Sequence, residues 1–231
     1  VETAHSLAYK KMMIGSGYEL SKGYKSHQIK EILGLSHRDR HTPYILANHI
    51  NKFVSYFCNS RASNVRELNY LNILGDPSSK DFATKFYPTI VKQTRVFLKM
   101  MKNGETPIIH DFYLKLFQLS QPNLGFDYIL FDEGQDASPA MLDIFLNQEN
   151  TTKVIVGDTH QQIYGWRFAV NSLEMVDFPS YTLSKSFRFD PEIALTAEKI
   201  LDWKEHLGKP RQIRVFGSAA SDAIQSRAVL A

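Results

Sequence analysis

A single cysteine, Cys58, stands in 231 residues, so no internal disulfide can form and the chain suits a reducing compartment. No Cys/His spacing fits a zinc site. No apolar run approaches the roughly 20 residues that a membrane span requires, and no signal-peptide pattern opens the chain. Repeats, low-complexity tracts and long linkers are absent. Charge of one sign is scarce too: 27 Lys and Arg against 24 Asp and Glu leave a net +3. That balance permits a nucleic-acid partner without arguing for one. A further absence is more specific. No GxxxxGK[ST] segment occurs, so these residues hold no phosphate cradle of that kind. The first residue is Val, and the last four read AVLA, a pattern expected of a chain cut at both ends.

What is present is ordinary for a folded protein, with 43% hydrophobic and 22% charged residues. The opening ETAHSLAYKKMM predicts a helix that starts after Thr3 or His5. From about residue 25 to 105, apolar residues recur every three or four positions and Gly, Pro and Asn mark the joins. That stretch reads as helical throughout. HDFYLKLFQLS then reads as an amphipathic helix stopped by QPNLG. Strand and helix signals alternate from there: YILFD, SPAMLDIFLNQ, KVIVGD, the 161–176 region, YTLSKS, DPEIALTAEKILDWKEHLG, IRVFG and AVLA. Alternation of this kind implies an α/β parallel sheet with helices on both faces.

Two segments carry the chemistry, FDYILFDEGQD (Phe126–Asp136) and KVIVGDTHQQIYGWRFA (Lys153–Ala169). Each is an apolar run ending abruptly in acids and amides, as a buried parallel strand does where its carboxyl end opens into a nucleotide site. Asp132 and Glu133 are adjacent carboxylates, whose mutual repulsion a divalent cation relieves. Asp132 is the candidate Mg²⁺ ligand, and Glu133 the candidate general base for an attacking water. Gly134 is expected to let the chain turn, and Gln135 and Asp136 to relay contacts. A bare Asp-Glu pair is otherwise only a solvated acidic turn. Gln161 has an amide that can donate and accept at once, which suits it to touch a γ-phosphate and the first carboxylate strand together. Tyr164, Trp166 and Arg167 suit stacking on unpaired bases, although either ring alone is more simply read as core.

Together with LSKSFRF (Leu183–Phe189), these segments resemble the superfamily 1 DNA helicases of the UvrD, Rep and PcrA type. DEGQD resembles motif II of that family, GDTHQQIYGWRFA motif III, Phe187–Arg188 motif IV, and ETAHSLAY the T-x-H-S-[LM]-A segment. YLKLFQLS, GDTHQQIY, AVNSL and SFRF resemble the F-box DNA helicase branch most closely. The resemblance implies a RecA-like P-loop NTPase sheet with an all-helical insertion. Residues 1–24 and 108–181 would belong to the first RecA-like domain, 25–107 to the helical insertion, and 182–231 to the start of the second. It implies ATP and Mg²⁺ as cofactors and movement on single-stranded DNA, 3′-to-5′, in repair or recombination. Glu133, Gln161 and Arg188 would be catalytic, Arg188 as an arginine finger. Asp132 and Phe187 would bind the cofactor, and Thr3, His5, Tyr164, Trp166 and Arg167 would contact or brace DNA. Single-stranded DNA, DNA junctions and repair or recombination proteins are the implied partners. The location would be cytoplasmic in a bacterium or nuclear in a eukaryote, with no membrane partner. The family has Gly where Phe168 stands, so a positive φ there would strain Phe168.

Two other classes stay open: a non-hydrolysing fragment or paralogue that binds single-stranded DNA or a protein, and the motor subunit of a recombination nuclease. Among the remaining features, His110–Asp111 reads as an Asp helix cap, His37–Arg38–Asp39–Arg40 as a solvated loop, and Cys58 as buried and inert. Lys10, Lys11, Lys99 and Lys102 read as a solvated edge that could line a phosphate track.

Overall fold

A computed structural model describes residues 1–163, 165, 168–208 and 214–218. The chain divides into two units, Val1–Val176 and Asp177–Ala231.

The first unit opens with α1 (Ala4–Met12), where the Thr3 hydroxyl caps the helix by accepting from the Ser6 amide at 3.1 Å. The two-residue strand β1 (Leu20–Ser21) pairs in parallel with β2 (Ile108–Ile109). Everything described between them is helix or turn. The helices are α2 (Ser26–Ile32), α3 (Thr42–Asn59), α4 (Pro77–Lys85) and α5 (Tyr87–Lys102). Their spacing explains the packing. In α3 the buried positions include Leu46, Ile50, Phe53, Val54 and Phe57, and in α5 they include Ile90, Thr94, Phe97 and Met101. Each set is one stripe at three- and four-residue intervals, and the two stripes meet in a single core. Burying one such Phe or Ile contributes about 1.5–3 kcal/mol. Proline falls in the first turns of α3, α4 and α5, where its missing N–H costs nothing. The Asp76 carboxylate caps α4 by accepting from the Ser79 amide at 2.7 Å.

Helix α6 (His110–Leu119) packs between α1 and α3. It is followed by β3 (Tyr128–Phe131), α7 (Pro139–Leu146) and β4 (Thr152–Ile155). Ser138 caps α7, and the Phe145 ring meets Phe131, with centroids 5.4 Å apart. β3 and β4 are parallel, with Tyr128 opposite Thr152 and Phe131 opposite Ile155. The pair forms as the alternation predicts, but helices on both faces do not. Tyr128 and Leu130 are 69% and 71% exposed, and Val154 and Val156 are about as exposed as surface residues. The described strands form three separate two-stranded parallel pairs rather than one sheet. Two strands have a second face that α7 cannot reach, so apolar side chains remain in solvent there. The short helix α8 (Ser172–Met175) closes the unit, and its Ser172 hydroxyl donates to the Gly134 carbonyl.

The second unit holds β5 (Lys185–Ser186), α9 (Pro191–His206) and β6 (Phe216–Gly217), with β5 and β6 parallel. Only the last two residues of YTLSKS are strand. The AVLA segment lies outside the described residues. Asp190 caps α9 by accepting from the Glu192 and Ile193 amides, each at 3.0 Å.

Candidate functional site

The carboxyl ends of β3 and β4 lie side by side. The Val156 amide donates to the Phe131 carbonyl at 2.8 Å, and the Gly134 amide donates to the Val156 carbonyl at 2.9 Å. Asp132 and Glu133 follow β3 and are both exposed. The Glu133 amide donates to Asp132 Oδ1 at 3.0 Å. Glu133 adopts left-handed backbone, φ 53°, ψ 42°. Such a conformation costs an ordinary residue about 1–2 kcal/mol and persists only where its surroundings hold it.

The turn is therefore made at Glu133 and not by Gly134, whose φ is not positive. Gly134 is needed for another reason. A Cβ there would collide with the Ile155 side chain and lie 2.8 Å from the Ser172 hydroxyl.

One side chain ties the two strand ends together. Gln135, 1% exposed, donates from Nε2 to Glu133 Oε2 at 2.7 Å and accepts at Oε1 from the Asp158 amide at 3.0 Å. Gly157 makes room for it, since a Cβ there would run into that same Oε1. Glu133 is thus gripped through one carboxylate oxygen. The relay expected of Gln135 and Asp136 is present, the latter accepting from the Ile163 amide at 3.3 Å.

Gln161 is exposed, and its amide donates to Asp158 Oδ2 at 2.8 Å, at its own strand end. Among the described residues, the side chain that joins β4 to the carboxylate strand is Gln135. Asp158 also accepts from the His160 amide at 2.9 Å. Tyr164, Trp166 and Arg167 lie outside the described residues.

Phe168 follows with φ 63°, the positive φ that would strain it. Its ring lies 5.3 Å from that of Tyr56 on α3, inclined by 37°. An aromatic pair adds about 0.5–1.5 kcal/mol beyond area burial, and left-handed backbone costs about 1–2 kcal/mol. The two are of similar size.

Thr3 and His5 sit at the start of α1. His5 Nε2 is 3.8 Å from Asp111 Oδ1, and Asp111 Oδ2 accepts from Asn59 Nδ2 at 3.3 Å. His5, Asp111 and Asp136 line a shared hollow of about 230 Å³. Asp111 is not a helix cap: Ile109 holds that position, and the Asp111 carboxylate faces α1 and α3 instead. In the other unit, Phe187 and Arg188 follow β5 directly and are exposed. The Lys185 ammonium stands 5.3 Å from the Phe187 ring centroid, and the Arg188 amide donates to the Ser186 hydroxyl at 3.2 Å.

The donor chemistry fits a divalent cation of the Mg²⁺ kind, which binds through one or two carboxylates together with phosphate oxygens and water. Asp132 and Glu133 offer two exposed carboxylates. No group of three or more His, Cys, Asp or Glu forms a metal cluster among the described residues.

The model for the UvrD/REP helicase N-terminal domain matches residues 25–177, about two thirds of the chain. The chain belongs to the UvrD/REP helicase family. The matched span holds Asp132, Glu133 and Gln161 of this helicase domain; Thr3, His5, Phe187 and Arg188 lie outside it. F-box DNA helicase 1 of Gallus gallus is 53% identical over 94 residues, which are 40% of this chain and 9% of that protein. F-box DNA helicase protein 1 of Schizosaccharomyces pombe is 44% identical over 106 residues, 42% of this chain and 12% of that protein. The matched segments therefore span a small part of either relative.

No sequence signal marked Gln135 as the grip on Glu133. Its place two residues after the acid, beside a Gly-Asp strand end, was visible, but the pairing of the two ends belongs to the fold.

Proposed function

We propose that this UvrD-type helicase domain is part of an ATP-dependent DNA helicase or translocase that moves on single-stranded DNA, 3′-to-5′, in repair or recombination. The observation that carries the proposal is the held carboxylate: Glu133 ends a parallel strand, and Gln135 grips it while bonding the neighbouring strand end. An exposed carboxylate fixed through one oxygen has its other oxygen open to a water, which suits a general base. Asp132 would hold Mg²⁺, and the ion, when bound, supplies charge neutralisation at the transferring phosphoryl group. Gln161, beside Asp158, would sense the γ-phosphate. Phe187 would stack on the adenine, and Arg188 would act on the phosphoryl group as an arginine finger. Thr3, His5, Tyr164 and Trp166 would contact DNA, with Arg167 bracing their loop.

The exposed apolar face of β3 and β4 supports a larger RecA-like sheet, because parallel strands are covered on both faces in such folds. On this reading, residues 1–24 and 108–181 belong to the first RecA-like domain, 25–107 to a helical insertion and 182–231 to the second. DNA junctions and repair or recombination proteins would be the partners, in the nucleus of a eukaryote or the cytoplasm of a bacterium.

In a second reading the protein binds single-stranded DNA or a protein without turnover. An ATPase assay on the full-length protein, with and without single-stranded DNA, separates them. Mg²⁺-dependent turnover that DNA accelerates supports the first reading. DNA binding without turnover supports the second.

A further inference from the structure

We propose that Phe168 and Tyr56 form a ring latch that positions the 158–170 loop against α3, so that the helical region reports on that loop. The proposal rests on the function proposed above, since the loop carries Gln161.

The backbone gives the first reason. Phe168 has φ 63°, a conformation that a residue without a side chain adopts freely and an aromatic residue does not. A ring at such a position needs a contact that holds it. The contact is Tyr56, half-buried on α3, with ring centroids 5.3 Å apart.

The second reason is where the loop's other described backbone ties lead. The Ile163 amide reaches Asp136 Oδ1 at 3.3 Å, and the Val170 amide reaches the Ala137 carbonyl at 2.8 Å. Both lead back to the strand-end turn. The Asp158 amide reaches Gln135 Oε1 at 3.0 Å, again at that turn, while bonds such as those from the Phe168 amide to the Gly165 carbonyl and from Gln162 Nε2 to the Ala169 carbonyl stay inside the loop. The Phe168 ring links this loop to α3 of the helical region.

The third reason is where that link leads. Tyr56 stacks on Phe53 at 6.4 Å, and Phe53 stacks on Tyr70 at 4.8 Å. Tyr70 meets His49, and His49 stacks on Phe82 at 5.4 Å. A continuous run of rings thus joins the loop to the middle of the helical core. Close-packed interiors move between discrete arrangements rather than deforming smoothly. A shift of the loop on nucleotide binding is therefore transmitted to α3 or breaks the latch. Phe168 and Tyr56 act through the loop and not on substrate; they are positioning residues.

The test uses Tyr56→Ala, Tyr56→Phe and Phe168→Gly in the full-length protein. The first readout is hydrogen exchange at the Ile163 and Val170 amides without ligand. Tyr56→Ala should speed exchange about two- to tenfold, the factor an aromatic pair supports, and Tyr56→Phe should leave it unchanged. Adding Tyr56→Ala to Phe168→Gly should have no further effect, because the partner ring is already gone. The second readout is the ratio of DNA-stimulated to DNA-free ATPase rate. It should fall in Tyr56→Ala while the DNA-free rate holds, and Tyr56→Phe should retain it. Unchanged exchange in Tyr56→Ala overturns the latch, and faster exchange with an unchanged ratio overturns its coupling role. If the full-length protein shows no ATPase at all, the proposed function falls, and the exchange result still decides whether the latch holds the loop.

Discussion

Replacing Gln135 should separate the held carboxylate from a merely solvated one. In Gln135→Ala two hydrogen bonds are lost, one of them to a carboxylate. A bond to a charged group is worth about 1.5–3 kcal/mol and a neutral one about 0.5–1.5 kcal/mol. The Asp158 amide also loses its acceptor, and a buried side chain leaves a void. The expected cost is about 2–5 kcal/mol, a fall in melting temperature of about 4–20 °C for a unit of this size. Gln135→Glu is sharper. It keeps the shape and the acceptor for Asp158 but sets a second carboxylate where Nε2 lies 2.7 Å from Glu133. Like charges so close raise the pKa of the pair. A carboxyl with a raised folded pKa contributes stability that is full at low pH and lost as pH rises through that value. The deficit of Gln135→Glu against wild type should thus be small near pH 4 and grow toward pH 7. Urea titrations of both proteins across that range are the assay. A deficit independent of pH, or Gln135→Ala within about 0.5 kcal/mol of wild type, would refute the grip on Glu133.

Lys115, fully buried, donates to the Ser60 carbonyl at 2.9 Å, and burial pushes its ammonium down to about 8. A base with a lowered folded pKa destabilises below that value, so stability should rise between pH 8 and about 10.5, and Lys115→Met should remove that rise and stabilise at pH 7 by about 1–3 kcal/mol; urea midpoints at pH 7 and 10 check both. His49 bonds the Tyr70 hydroxyl at 2.8 Å, and burial, with Lys52 nearby, holds its imidazole below the usual value. Stability should therefore fall as pH drops below about 6.5, and His49→Phe should flatten that fall in circular dichroism melts. Arg188→Ala in the full-length protein should lower ATPase by about 10³-fold or more with nucleotide-free DNA affinity retained, and Arg188→Lys should not rescue it. The bland alternative is a structural salt bridge to Glu192 or Asp190, the latter already capping α9 through Oδ1; a lower melting temperature with an intact rate would favour it.

Legibility followed the range of the interaction. The β3–β4 pair was readable because four apolar residues end in acids twice over. The start of α1, to within Thr3 or His5, and the helices from 25 to 105 were readable because helix-start signals and three-to-four spacing are local. The sequence pointed to Gln161 as the amide that reaches the first carboxylate strand, whereas Gln135 joins the two strand ends, because that depends on which end lies against which. Asp111 looked like a cap because its neighbours on α1 and α3 are distant in sequence. The strain at Phe168 was anticipated from the family's Gly, but its partner Tyr56, more than a hundred residues earlier, was not. The open face of β3 and β4 broke the expected alternation of covered faces because alternation marks strands without counting how many share a sheet.

The central claim is that Glu133 is the base of an ATP-driven DNA motor, and Glu133→Gln in the full-length protein tests it most directly. The amide keeps the shape and can still bond Gln135, but it cannot take a proton. Nucleotide binding and DNA-stimulated hydrolysis should be measured on the same preparation. The account predicts ATP affinity near wild type with turnover reduced by about 10²–10⁴-fold. Hydrolysis at the wild-type rate would contradict it.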